Sequence, residues 1–64
     1  MKVNGKIISI TKSQTLIDFL KDNNYEITKV AVELNGNIIP KSKFKDITIQ
    51  NCDSLEIVTF VGGG

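Results

Sequence analysis

Two Asn-Gly pairs, Asn4-Gly5 and Asn35-Gly36, constrain this chain more than any other feature. Each sits between short apolar runs, and Asn-Gly accepts the positive φ angles that a two-residue hairpin turn demands. The first hairpin is expected to run Met1 to Val3, turn, and return through Lys6 to Ile10. Side chains alternate along a strand, so Met1, Val3, Ile8 and Ile10 share one face. The second runs Val30 to Leu34, turns, and returns through Asn37 to Ile39, with Val30, Val32, Leu34 and Ile39 together. Pro40 cannot donate to a ladder and ends that strand.

One helix lies between the hairpins. Leu16, Phe19 and Leu20 follow i, i+3, i+4 spacing. Thr15 is the expected N-cap with Asp18 three residues on, and Asn23-Asn24 is the expected stop, since Asn tolerates a left-handed cap. After Pro40 come a turn-like stretch around residues 41–45, a short run Ile47-Thr48-Ile49, a turn at Asn51-Cys52-Asp53, and a last strand from Ser54 to Val61. Ten Ile and five Val against four Leu and one Ala reinforce the strand-rich reading. Strands in this order around one helix predict an α+β domain, a mixed sheet of about four to five strands wrapped on the helix. A right-handed crossover past the helix makes at least one strand pair parallel. This is the order of a β-grasp, or ubiquitin-like, fold, expected over residues 1–61, with residues 62–64 as a flexible tail.

Composition narrows the chemistry. Sixty-four residues suit one small domain, burying only about 60% of its unfolded surface. The single Cys cannot close an internal disulfide, which favours a reducing compartment, and a cytoplasmic location is expected. With no His and one Cys, neither a zinc site nor a catalytic triad can be assembled from this chain. A net charge of +1, with eight Lys and no Arg, argues against a dedicated nucleic-acid binder. No apolar run approaches the roughly 20 residues of a membrane span.

The last strand and the three glycines after it form the most informative segment. Leu55, Ile57, Thr59 and Val61 fall on one parity; Glu56, Val58 and Phe60 fall on the other. The helix covers one face of the sheet, so Val58 and Phe60 are expected outward. With Val61 at the root of the tail, and Ala31 and Glu33 of outward parity on the second hairpin, they form the expected partner-docking surface. Gly62-Gly63-Gly64 has no side chains and is expected to be mobile, reaching about 10 Å at roughly 3.3–3.6 Å per residue. That suits delivery of a terminal carboxylate into a narrow cleft of another protein. Ionised at neutral pH, the carboxylate is a poor electrophile and needs a better leaving group, such as the AMP of an acyl-adenylate. The chain lacks a phosphate-binding loop to make one, so it reads as a substrate and carrier, not an enzyme.

The sequence resembles the ThiS family of thiamine-biosynthesis sulfur carriers over all 64 residues. The resemblance is carried by Val3-Asn4-Gly5, by residues 15–20 (TLIDFL), by residues 30–36 (VAVELNG) leading to Ile39-Pro40, and by residues 53–64 (DSLEIVTFVGGG). It implies that a ThiF-like adenylyltransferase uses ATP to form an acyl-adenylate on Gly64. It further implies that sulfur from a cysteine desulfurase persulfide converts this to a thiocarboxylate, and that thiazole synthase takes up the sulfur. Gly63 and Gly64 match the family's diglycine, and Gly62 is expected to be a spacer. No bound cofactor or metal is implied, and the free chain is expected to be a monomer. One departure is Cys52, where the family commonly has Gly before Asp; if that position requires positive φ, Cys is strained there. Two alternatives stand beside this reading: a carrier like the small subunit of molybdopterin synthase, and a ubiquitin-like interaction or conjugation module. The short length and the Phe60-Val61-Gly62 approach resemble the thiamine branch more.

Overall fold

The computed structural model describes residues 1–61. Both Asn-Gly pairs form their turns with positive φ at each central residue, 52° and 85° at Asn4-Gly5 and 50° and 87° at Asn35-Gly36. A Cβ built on either glycine would meet nothing within 4 Å, so the backbone angle alone, not crowding, favours glycine there. The turns join β1 (Lys2–Val3) to β2 (Lys6–Ile7), and β4 (Val30–Leu34) to β5 (Asn37–Ile39). With β7 (Ser54–Thr59) they make a five-stranded sheet in the order β2-β1-β7-β4-β5. The β1–β7 pair is parallel and the others antiparallel, as the crossover required.

The helix, α1 (Leu16–Asp22), is capped at both ends as the residue pattern predicts. Thr15 Oγ1 accepts from the Asp18 amide at 3.1 Å. At the far end Asn24 takes φ 64°, with the Asn24 amide bonded to the Lys21 carbonyl and the Tyr25 amide to the Leu20 carbonyl. That pair of bonds satisfies carbonyls a helix end otherwise orphans. Leu16, Phe19 and Leu20 bury against Val30, Val32, Leu55 and Ile57 of the sheet.

Three expectations need correction. The last strand ends at Thr59, not Val61, and Thr59 is exposed although it shares parity with Leu55 and Ile57. It lies opposite Val30, the first residue of β4, where that strand begins. The return strand of the first hairpin ends at Ile7, not Ile10, and the chain instead forms β3 (Gln14–Thr15), which pairs antiparallel with β6 (Thr48–Ile49) in a separate two-stranded sheet. The turn-like stretch after Pro40 also contains the largest fully buried side chain of the described residues, Phe44. A 3-10 turn over Lys41–Lys43 carries Phe44 into the core. Its carbonyl accepts from the Ile17 amide at 3.1 Å, and the Ile47 carbonyl accepts from the Leu16 amide at 2.8 Å. With the Thr15 cap, three first-turn amides of the helix are satisfied from outside it. The expected glycine tail, Gly62–Gly64, lies outside the described residues.

Candidate functional site

Strand β7 is the structural centre of the sheet, flanked by β1 on one side and β4 on the other. Two turn asparagines fasten it. Asn4 Oδ1 accepts from the Ile57 amide at 2.6 Å, and Asn4 Nδ2 donates to the Ile57 carbonyl at 3.2 Å. Asn35 Oδ1 accepts from the Ser54 amide at 2.9 Å, while the Asn35 amide donates to the Ser54 carbonyl at 2.8 Å. Asp53 completes this end: its carboxylate accepts from Asn35 Nδ2 at 3.0 Å and from the Gln50 amide at 2.8 Å. Asp53 is therefore a turn-builder, as its position between short strands suggested. The strand that leads to the glycines is held at its start and near its middle by side chains that imitate backbone pairing.

Cys52 sits exposed in the same turn. Among the described residues the positive φ angles outside glycine belong to Asn4, Asn24 and Asn35. Cys52 thus occupies ordinary backbone, and the strain that a glycine-requiring position would impose is absent.

Beyond Thr59 the chain stays anchored for one more residue. The Phe60 amide donates to the Lys29 carbonyl at 2.7 Å, and Lys41 Nζ lies 6.0 Å from the centre of the Phe60 ring. That geometry is a cation–π contact at its outer limit. Phe60 is 52% exposed and stands outside the buried core, so it does not fold over the core edge. Val61 is 98% exposed, past the end of β7 rather than on its inward parity.

The other expected docking residues meet on the outward face. Val58 is 57% exposed and lies directly opposite Ala31, itself half-buried. Glu33 is half-buried and lies opposite Glu56. The parity argument missed Ile38, which pairs with Glu33 from the β5 side and is 80% exposed. Counting the second hairpin's alternation through Ile39 would have found it, because neighbours on a strand face opposite ways. Glu33, Glu56, Val58 and Ile38 thus form one surface leading toward Phe60 and Val61. Among the described residues no three His, Cys, Asp or Glu side chains group as a metal site, and no helix is long and apolar enough to cross a membrane.

A five-stranded mixed sheet with a parallel central pair, wrapped over one short helix, defines a ubiquitin-like β-grasp domain. Within that class, the chain belongs to the ThiS family, whose model matches residues 1–64. The sulfur carrier protein ThiS of Bacillus subtilis (strain 168) is 37% identical over 65 residues, covering 100% of this chain and 98% of that protein. A thiazole synthase of Paramagnetospirillum magneticum is 39% identical over 62 residues, 97% of this chain; the chain spans only 19% of that protein's length. The crystal structure of the thiamine biosynthesis protein ThiS from Geobacter metallireducens superposes with a TM-score of 0.82 at 30% identity, covering 98% of this chain and 96% of that one.

Proposed function

We propose that this chain is the sulfur carrier of thiamine biosynthesis, with Gly64 as the residue that bears the sulfur. Membership of the ThiS family carries this reading, supported by the end-to-end similarity to the Bacillus subtilis carrier. The thiazole synthase that contains a region similar to this chain supports thiazole synthase as the sulfur's destination. Residues 1–61 act as the folded body and Gly62–Gly64 as the delivered tail.

The chemistry proceeds from the carboxylate. An oxygen of the Gly64 carboxylate attacks the α-phosphorus of ATP on a ThiF-like adenylyltransferase, pyrophosphate leaves, and an acyl-adenylate forms. The terminal sulfur of a persulfide made by a cysteine desulfurase adds to the acyl carbon and expels AMP. A thiol then attacks the cysteine sulfur of the resulting acyl disulfide, forming a disulfide with it and releasing the Gly64 thiocarboxylate. The chain itself contains neither histidine nor arginine, so in this reading it is the substrate and the enzymes are its partners. Glycines at the end keep Cβ atoms out of a cleft that must close on the acyl carbon. The outward face, with Val58, Phe60 and Val61 exposed beside Ala31 and Glu33, is the docking surface for those partners.

The test is intact mass after incubation with ATP, the adenylating enzyme from the same genome and a sulfur source. Exchange of one oxygen for sulfur at Gly64 supports the carrier reading. A covalent adduct to a protein amine would replace it with conjugation, and an unchanged mass would overturn it. Transfer of the sulfur to a molybdopterin precursor instead of thiazole would reassign the pathway.

A further inference from the structure

The outward face of the sheet sets two like charges side by side. Glu33 and Glu56 are directly opposed in the β4–β7 ladder. Side chains so paired have Cβ atoms about 4.5–5.5 Å apart, and like charges at that spacing repel. Among the described residues the one ion pair within 4.0 Å joins Lys29 to Glu26, so no lysine neutralises either glutamate at that range. The basic position closest in register is Lys2, which is paired with Ser54, two residues along β7 from Glu56. With eight lysines against seven acidic residues, a shortage of cations does not explain the unpaired glutamates.

The surroundings turn the pair into part of a recognition surface. Ile38, Glu33 and Glu56 form one row across three strands, and Ala31 with Val58, two rungs along the β4–β7 ladder, forms the next row on the same face. Ile38 and Val58 are among the most exposed large apolar side chains of the described residues. Two neighbouring carboxylates match the several donors of a planar guanidinium. Apolar neighbours that exclude water as a partner closes would strengthen that attraction.

We propose that the Ile38–Glu33–Glu56–Val58 patch receives a protein partner presenting an arginine side chain within an apolar rim. This rests on the reading of the outward face as the carrier's docking surface and specifies the chemistry of the partner that docks there. Arrival of the guanidinium relieves the repulsion that the free protein carries. Association therefore weakens with added salt, and an acidic partner surface is rejected.

The full chain and its Glu33→Gln, Glu56→Gln and double variants are titrated calorimetrically against the adenylating enzyme at low and high salt. Conversion is followed by intact mass in the same samples. The variants are expected to be at least as heat-stable as the parent and to bind about tenfold more weakly, with a shallower salt dependence. Equal affinity of parent and variants, binding of the parent that ignores salt, or no binding at all would overturn the proposal. So would variants that lose stability together with affinity, because removing a repulsion should not unfold the domain. Salt-dependent parental binding, weakened in the variants but without conversion, would reject the sulfur chemistry and leave the contact standing; conversion with normal binding of the variants would do the reverse.

Discussion

The side-chain amide of Asn4 pairs at two points with the backbone of Ile57, accepting from its amide at 2.6 Å and donating to its carbonyl at 3.2 Å. A residue suited to a turn by its backbone thereby extends the parallel β1–β7 pairing by one more rung. Glycine at this position would keep the turn, because it takes positive φ freely, but would lose both bonds. Asn4→Gly is expected to destabilise the domain by about 1–3 kcal/mol. Urea unfolding should show a lower midpoint with an unchanged m-value, and an unchanged midpoint would show that the bonds contribute nothing.

Phe44 contributes the largest fully buried side chain from a stretch whose other residues are mostly lysine and solvent-facing. Phe44→Ala should cost about 3–5 kcal/mol. A domain of this size has only about 3–10 kcal/mol in total, so the variant should lose roughly a third or more of its stability and melt far below the parent. Phe44→Leu, which leaves a smaller void, should remain folded with a lowered Tm. Circular dichroism melts of both variants check the pair.

Phe60 offers the opposite case. Its ring is half exposed, and its amide bond to the Lys29 carbonyl needs no side chain. Phe60→Asp is expected to change stability by no more than about 1 kcal/mol, chiefly through the lost Lys41 contact. It should nevertheless slow thiocarboxylate formation at least tenfold. A parental rate in the folded variant would remove Phe60 from the docking surface.

Cys52 is exposed and free of positive φ. Cys52→Ser should leave stability within about 0.5 kcal/mol of the parent and leave the conversion rate unchanged. A large fall in conversion, read by intact mass, would give the thiol a role that its surroundings do not suggest.

One alanine added after Gly64 should leave the melting curve intact and abolish conversion, because the acyl carbon that reacts is then an internal amide. An extended chain shown to be untrimmed that still gained sulfur would contradict the role of Gly64.

Much of this molecule was legible locally. The left-handed angles at Asn4-Gly5, Asn24 and Asn35-Gly36, the Thr15 cap and the inward parity of Val30, Val32, Leu55 and Ile57 depend on residues within a few positions of each other. Local sterics and period-2 or period-3.6 patterning decide such features, so the chain's residue order suffices for them. The outward placement of Val58 came from the same alternation, which stops with the strand at Thr59, before Phe60. Membership of the strand-rich class needed nothing more.

The remainder was decided in three dimensions. That Phe44 turns inward depends on the helix and sheet side chains it packs among and on helix amides that need carbonyls, neither of which is written in the lysine-rich segment around it. The pairing of Gln14–Thr15 with Thr48–Ile49 joins short segments more than thirty positions apart, and two-residue strands leave no periodic trace. Glu33 opposes Glu56 only because the β4–β7 register puts them there. Each residue alone is an ordinary surface glutamate, and only the register of two distant strands sets their charges side by side.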